Sequence, residues 1–209
     1  MKTNVTIILL MLIGTIVLNA QSRSDIFDPK TEITWLGNDF TALKLIGDRE
    51  RLGSESDILR LMEAWNDIMV DEADRKFNIA VATHRKTVVT NIDVTKEHNT
   101  ELDVHSMYSD DKKDYVHLTK EGVAEIIASY DFKGLTGVGL MFNVESFSKL
   151  NGEAAAWVTF INMETKEILL TERVTGHPGG AGMRNYWANA VAEIIERMKK
   201  EFEVWRKKI

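Results

Sequence analysis

The sequence predicts an α+β fold: a two-layer sandwich with a mostly antiparallel sheet, whose C-terminal three-strand meander is covered by helices including a long C-terminal one. Three observations carry this prediction. Apolar residues recur at three- and four-residue steps over 54–77 and over 184–206, the period of amphipathic helices. Between Val138 and Val174 the period changes to two, as in half-buried strands. The joins in that region, SKLNGE and METK, are short and polar. Parallel neighbours need a crossover of about a dozen residues or more, so these joins predict antiparallel pairing.

The first twenty residues read as a segment outside the fold. Lys2 gives a positive start, residues 5–18 are an uncharged apolar run, and Leu18-Asn19-Ala20 ends on a small residue. That is the order of a secretory signal peptide cleaved after Ala20. A spanning anchor needs about 20 apolar residues, so no integral membrane span is expected after cleavage. No cysteine follows the run, so no lipobox is present and a periplasmic or secreted protein is expected. Residues 21–209 would form a single α+β domain. Removing Lys2 would take the formal charge from −6 to −7.

Composition narrows the function classes. The chain has no cysteine, which removes disulfides and thiolate zinc sites. The 32 acidic residues outnumber the 26 basic ones, and such a balance repels nucleic acid and anionic membranes. No nucleic-acid partner is expected.

Along the chain, EITWLGNDFTALKLI (32–46) reads as a first strand with a defect. Gly37-Asn38-Asp39 interrupts the alternation, which suggests a bulge or a close backbone approach. Ser54 and Asp57 have the S-x-x-D capping pattern, and Ile58, Leu61, Met62, Trp65, Ile68, Met69 and Phe77 form the stripe that follows. Arg60, Glu63, Asp67, Asp71 and Asp74 are assigned to a solvated face. Residues 79–117 give the weakest pattern: short strands around Val88 and Val89, then an exposed loop at HSMYSDDKKDY. A second helix is predicted at about 119–130 with Thr119 as its N-cap. Strands follow at Val138–Glu145, 155–162 and 167–175, and a long helix at 184–206 closes the chain.

No catalytic or metal-binding set emerges. Asp110, Asp111 and Asp114 lack the alternation of a calcium loop. His84, His98, His105 and His117 are scattered, and none forms an i, i+4 zinc pair. No G-x-S-x-G elbow occurs. No cofactor is predicted.

GHPGGAGMRNYW (176–187) is the best single site candidate. Its glycines let backbone N–H groups approach an anion, and a helix follows with its positive end. In a binding role Arg184 clamps a carboxylate or phosphate, His177 and Asn185 add polar contacts, and Gly179, Gly180 and Gly182 present N–H groups. The P-loop order is absent, and the preceding strand is assigned to an antiparallel meander, the wrong setting for a phosphate loop. The structural alternative is a joint between strand and helix, in which Asn185 caps the helix and Tyr186 and Trp187 pack on the sheet near Trp157 or Phe160.

GVGLMFNVESF, AAWVTFINMETKEILLTERVTG and GGAGMRNYWANAVAEII resemble segments of an uncharacterised family of exported bacterial proteins. V-W-V-T-F and G-G-x-G-x-R-N-Y-W recur in that family, and ITWLGNDFTALKLIG is similar to its first strand. The resemblance brings no activity with it. The layout of strand, METKEIL, strand and long helix is similar to periplasmic assembly domains. These include the amino-terminal domain of the Tol-system propeller protein, the curli-secretion channel subunit and the lipoprotein activators of cell-wall synthases. The last two groups carry a lipobox cysteine that this sequence lacks. The layout implies a non-catalytic protein-binding or assembly module whose partner is another envelope protein. The alternative is a small anionic-ligand binder or enzyme that uses the glycine-rich loop.

Overall fold

β5 (Val138–Ser148) is the axis of a seven-stranded sheet in the computed structural model, which describes residues 21–208. The expected signal peptide lies outside the described residues. Two strands lie end to end along one edge of β5. β1 (Ile33–Asp39) pairs in parallel with Val138–Asn143, and β2 (Lys44–Ile46) continues in parallel against Ser146–Ser148. Outside them, β3 (Val89–Thr90) pairs in parallel with β1 and β4 (Tyr108–Ser109) with β2. On the other edge of β5, β6 (Glu153–Asn162) is antiparallel, and β7 (Ile168–Gly176) is antiparallel to β6.

This is an α/β arrangement, and it corrects the expected α+β sandwich with a mostly antiparallel sheet. The path β3-β1-β5-β2-β4 is parallel throughout, and antiparallel pairing is confined to β5–β6 and β6–β7. The short joins that predicted antiparallel neighbours report only on strands adjacent in sequence. Between β2 and β5 the chain makes a long crossover through α1 (Arg49–Leu52), α2 (Glu55–Asp71), α3 (Ile79–Ala82), α4 (Asp93–Thr100) and α5 (Lys120–Ser129). A crossover of that length permits parallel pairing.

The two-layer expectation is corrected as well. Leu140, Phe142 and Val144 of β5 pack into one core with Met62 and Trp65 of α2 and with Trp187 and Ile194 of α6 (Met183–Arg206). On the other face Met141, Trp157 and Ile161 pack against Val123, Ile126 and Ile127 of α5. Elements cover both faces, as is usual where strands run parallel. Among the described residues no helix is long and apolar enough to cross a membrane.

The defect in the first strand is a bulge within β1, before the chain leaves the strand at Phe40 and re-enters the sheet as β2. The register slips between Trp35 and Gly37, and Gly37 has φ of +95°. A Cβ there would lie 2.9 Å from Asn66 Oδ1, so glycine is needed for its conformation and for the approach. Beyond the slip, side chains replace a neighbouring strand. The Asn38 N–H donates to Asn66 Oδ1 (2.7 Å), and the Asn38 carbonyl accepts from Asn66 Nδ2 (3.0 Å) and Asn99 Nδ2 (2.9 Å). The Phe40 N–H donates to Asn99 Oδ1 (3.0 Å). Both asparagines are buried.

In the segment 79–117 the short strand expected around Val88 and Val89 is β3 and residues 110–113 are exposed, but the sequence pattern does not predict α3 and α4. Met107 and Tyr115 are buried within the segment, and Tyr108–Ser109 is β4.

Two stability predictions follow from these contacts. Asn66→Ala strands the buried Asn38 N–H, and an unsatisfied buried group costs about 1–3 kcal/mol. With the lost packing, the unfolding free energy should fall by about 2–4 kcal/mol in a denaturant titration. An unchanged midpoint would mean that the break is not held by these carboxamides. Trp187 is fully buried, and Trp187→Ala should lower the unfolding free energy by about 3–5 kcal/mol in the same measurement.

Candidate functional site

Because β7 is antiparallel to β6 and β6 to β5, β7 runs in the same direction as β1, β2 and β5. The glycine-rich loop therefore leaves the carboxyl edge of the parallel strands and enters the N-terminus of α6. The expected antiparallel meander is present, with β7 antiparallel to its neighbour β6, but the loop after it opens at the same edge as the carboxyl ends of the parallel strands. In open α/β sheets the carboxyl edge is where ligands bind.

Each glycine of the loop has a separate physical role. Gly176 lies against α6 so closely that a Cβ would be 2.1 Å from the Ala190 carbonyl oxygen. Gly180 and Gly182 have φ of +89° and +77°. Gly179 ties the loop to the helix, donating its N–H to the Tyr186 carbonyl (3.2 Å) and accepting from Asn189 Nδ2 (2.7 Å).

α6 begins at Met183 with Gly182 at its N-cap and no side-chain cap. Asn185 therefore sits inside the first turn and does not cap the helix, contrary to the joint reading. The N–H groups of Met183, Arg184 and Asn185 find no acceptor among the described residues. They belong to the positive end of a 24-residue helix. A cavity of about 370 Å³ opens there, walled by Gly182, Arg184 and Asn185 on one side and by Gly53, Arg60 and Leu61 on the other.

Charge in this cavity is uneven. Arg184 is exposed, its guanidinium donates to Asn185 Oδ1 at 3.5 Å, and no carboxylate pairs with it among the described residues. Arg60 pairs with Asp57 at 2.6 Å. The Ser54 hydroxyl and N–H, with Arg60 adding a smaller part, hold Asp57 below the usual carboxylate range. Asp57 thus stays ionised and offsets Arg60, which leaves Arg184 as the uncompensated charge.

The floor beneath the loop is aromatic. Trp65 Nε1 donates to the Arg184 carbonyl at 3.0 Å, and its ring meets Phe147 edge-on at 5.1 Å. Trp187 stacks on Phe147 at 4.7 Å. Of the two expected neighbours, Phe160 belongs to the same core as Trp187, and Trp157 lies on the opposite face of the sheet, where it packs with α5.

The structure brings together only some of the predicted site residues. Gly182, Arg184 and Asn185 share the loop cavity. Gly180 lines a second cavity of about 270 Å³ on the far side of the loop, with Asn185 and Lys76. Gly179 lines neither of these cavities. His177 sits at the other end of the loop, its N–H on Glu193 Oε2 (2.6 Å) and its ring near Gly152 and Glu153. Sequence reasoning missed Arg60, which lines both the loop cavity and a groove of about 370 Å³ between α2 and α4. Leu59 and Met62 give the groove its apolar surface, and Glu63 and Lys96 are charged residues along it.

A second polar concentration lies on the sheet face opposite α6. Asp39 is fully buried and accepts from Tyr130 Oη (2.9 Å), Asn143 Nδ2 (3.0 Å) and Thr41 Oγ1 (2.6 Å). Burial, reinforced by the Asp39 carboxylate, pushes the Tyr130 hydroxyl far up, so it remains a donor. Asn143 continues the chain through Thr159 to Thr171. Among the described residues no group of three or more His, Asp or Glu is placed to hold a metal ion.

The sequence matches no family model and no curated protein.

The close packing of Gly176 can be tested directly. Gly176→Ala drives a methyl group into the Ala190 carbonyl, so either α6 or β7 must shift. The unfolding free energy should drop by at least about 2 kcal/mol, as for other overpacked core sites. A wild-type thermal midpoint would show that β7 and α6 approach less closely.

Proposed function

We propose that the protein is an exported module that binds a segment of a partner protein carrying an acidic group beside an apolar residue. One observation carries the reading: Arg60 lines both the loop cavity and the α2–α4 groove, so the two adjoin. The loop end offers unpaired N–H groups, a helix N-terminus and Arg184, all suited to a carboxylate or phosphate. The groove end offers Leu59 and Met62 to an apolar side chain, with Glu63 and Lys96 beside them. The alternative, a small anion held alone, is favoured by the loop cavity taken by itself. Its volume lies in the roughly 300–1,000 Å³ range of small-molecule pockets.

Peptide binding separates the two. Glutamate- and leucine-bearing peptides from a random library should bind the wild-type protein. Arg184→Glu should weaken binding by at least about tenfold, because it turns a charge-assisted contact into repulsion. Arg184 is solvent-facing, so the variant's stability should change by no more than about 0.5 kcal/mol. Amidating the peptide's acid should cost a similar factor in affinity. Binding of phosphate or citrate without any peptide would favour the small-anion reading. Binding of neither would leave the loop as a joint between β7 and α6.

A further inference from the structure

Residues 110–118, which follow the edge strand β4, form a strap across the sheet face opposite α6. Polar contacts hold much of it down. Glu145 Oε1 accepts the N–H groups of His117 (2.8 Å) and Leu118 (2.9 Å). The Tyr115 carbonyl accepts from Ser146 Oγ (3.1 Å) and Arg173 Nη2 (3.1 Å). Glu145 is fully buried and pairs with Arg173 Nε at 2.5 Å.

The imidazole of His117 adds a contact that depends on a proton. Its Nδ1 lies 2.6 Å from the Asp114 carbonyl oxygen, and its Nε2 lies 2.8 Å from the Ala42 carbonyl oxygen. A carbonyl oxygen only accepts, so this exposed ring makes both hydrogen bonds at once only as the doubly protonated cation. His98, on the other side of the same turn, makes no such demand. Thr41 gives its proton to Asp39 at 2.6 Å, so His98 Nε2 donates to Thr41 Oγ1 at 3.1 Å. The neutral ring supplies that hydrogen.

We propose that protonated His117 is a clasp fastening the strap to the β1–β2 turn, and that the strap loosens when this ring loses its proton. Other charged groups pack around it. Asp114 accepts from Ser109 Oγ (2.6 Å), and Glu145 is neutralised by Arg173. Burial, then the hydrogen bond to Glu153, pushes the Tyr115 hydroxyl up to about 12, so it stays a donor. Glu153 also faces His177 at 3.7 Å. Asp39 and His98 flank the turn from β1 and α4, and Asp110, Asp111, Lys112 and Lys113 lie on the strap itself. None of these side chains is a hydrogen-bond partner of the ring, whose two partners are both backbone carbonyls. No other side chain therefore stands in for the lost proton. Asp114 is three residues from His117, and a local contact costs less chain entropy to keep than a distant one. The Ala42 contact is the one released. The clasp is complete at low pH and is lost as pH rises.

Two measurements on the unmodified protein test this. With labelled histidine at about pH 5, nitrogen NMR should show both His117 nitrogens protonated. Amide exchange corrected for intrinsic rates, followed from about pH 5 to about pH 8, spans the range in which imidazoles titrate. Protection of residues 112–118 should fall about tenfold, as expected for one hydrogen bond to a charged group, while β5 stays protected. His98→Gln should keep that fall, and His117→Phe should show low protection at both pH values. If His117→Phe does not fold, the wild-type measurements decide. A neutral His117 ring at about pH 5, a flat protection profile, or loss of the fall in His98→Gln would overturn the proposal.

Discussion

Three backbone groups at the end of β1, the N–H and carbonyl of Asn38 and the N–H of Phe40, find partners in the carboxamides of Asn66 and Asn99. A buried strand that leaves its neighbour must satisfy such groups, because each unsatisfied one costs about as much as a lost hydrogen bond. Here α2 and α4 supply the partners, and that fixes the rotation and height of α2 against the sheet. The rest of α2 follows from this contact. Trp65, one residue earlier, reaches Phe147 and the Arg184 carbonyl. Arg60, about two turns toward the N-terminus, is carried to the wall of the loop cavity. One helix thus completes the broken strand and places half of the candidate site.

The helices α2, α5 and α6 were legible because their signals are local. Ser54 and Asp57 form the capping box that their spacing predicts, and Thr119 caps α5. Parallel pairing left no such trace, since β1 and β5 are about a hundred residues apart and no turn sets their register. The alternation in β5 also misled. Asn143, Glu145, Ser146 and Ser148 look like a solvent face, yet all four are buried. What covers part of that face is the strap of residues 110–118, whose charged sequence reads as an exposed loop. Its charged residues 110–113 do face solvent, while buried Tyr115 and the backbone groups of Tyr115, His117 and Leu118 meet the sheet.

The candidate site was legible in part for the same reason. Glycines at Gly180 and Gly182 mark positive φ, and the arginine after them marks a helix entrance. His177 looked like part of the group because it is near in sequence, but the loop turns away and leaves it beside Glu153. Arg60 reads as part of a solvated face because it lies opposite the apolar stripe of the helix, and it does pair with Asp57 three residues earlier. That pair is on the helix surface, and only the tertiary fold turns a surface residue into a cavity wall.

Net charge sets a further limit on what the loop cavity accepts. The chain carries a formal charge of −6, so an anionic ligand meets repulsion at long range. Screening at physiological ionic strength confines that repulsion to about 8 Å. Arg184 and the α6 N–H groups act at hydrogen-bond distance, where attraction is strongest. A polyanion places many charges inside the repulsive shell and gains from only one local contact. A single acid group in neutral or basic surroundings gains the same contact and meets little of the repulsion. A ligand that fits the proposed site is therefore an isolated acid beside apolar residues, and the Leu59–Met62 groove next to the cavity suits that composition.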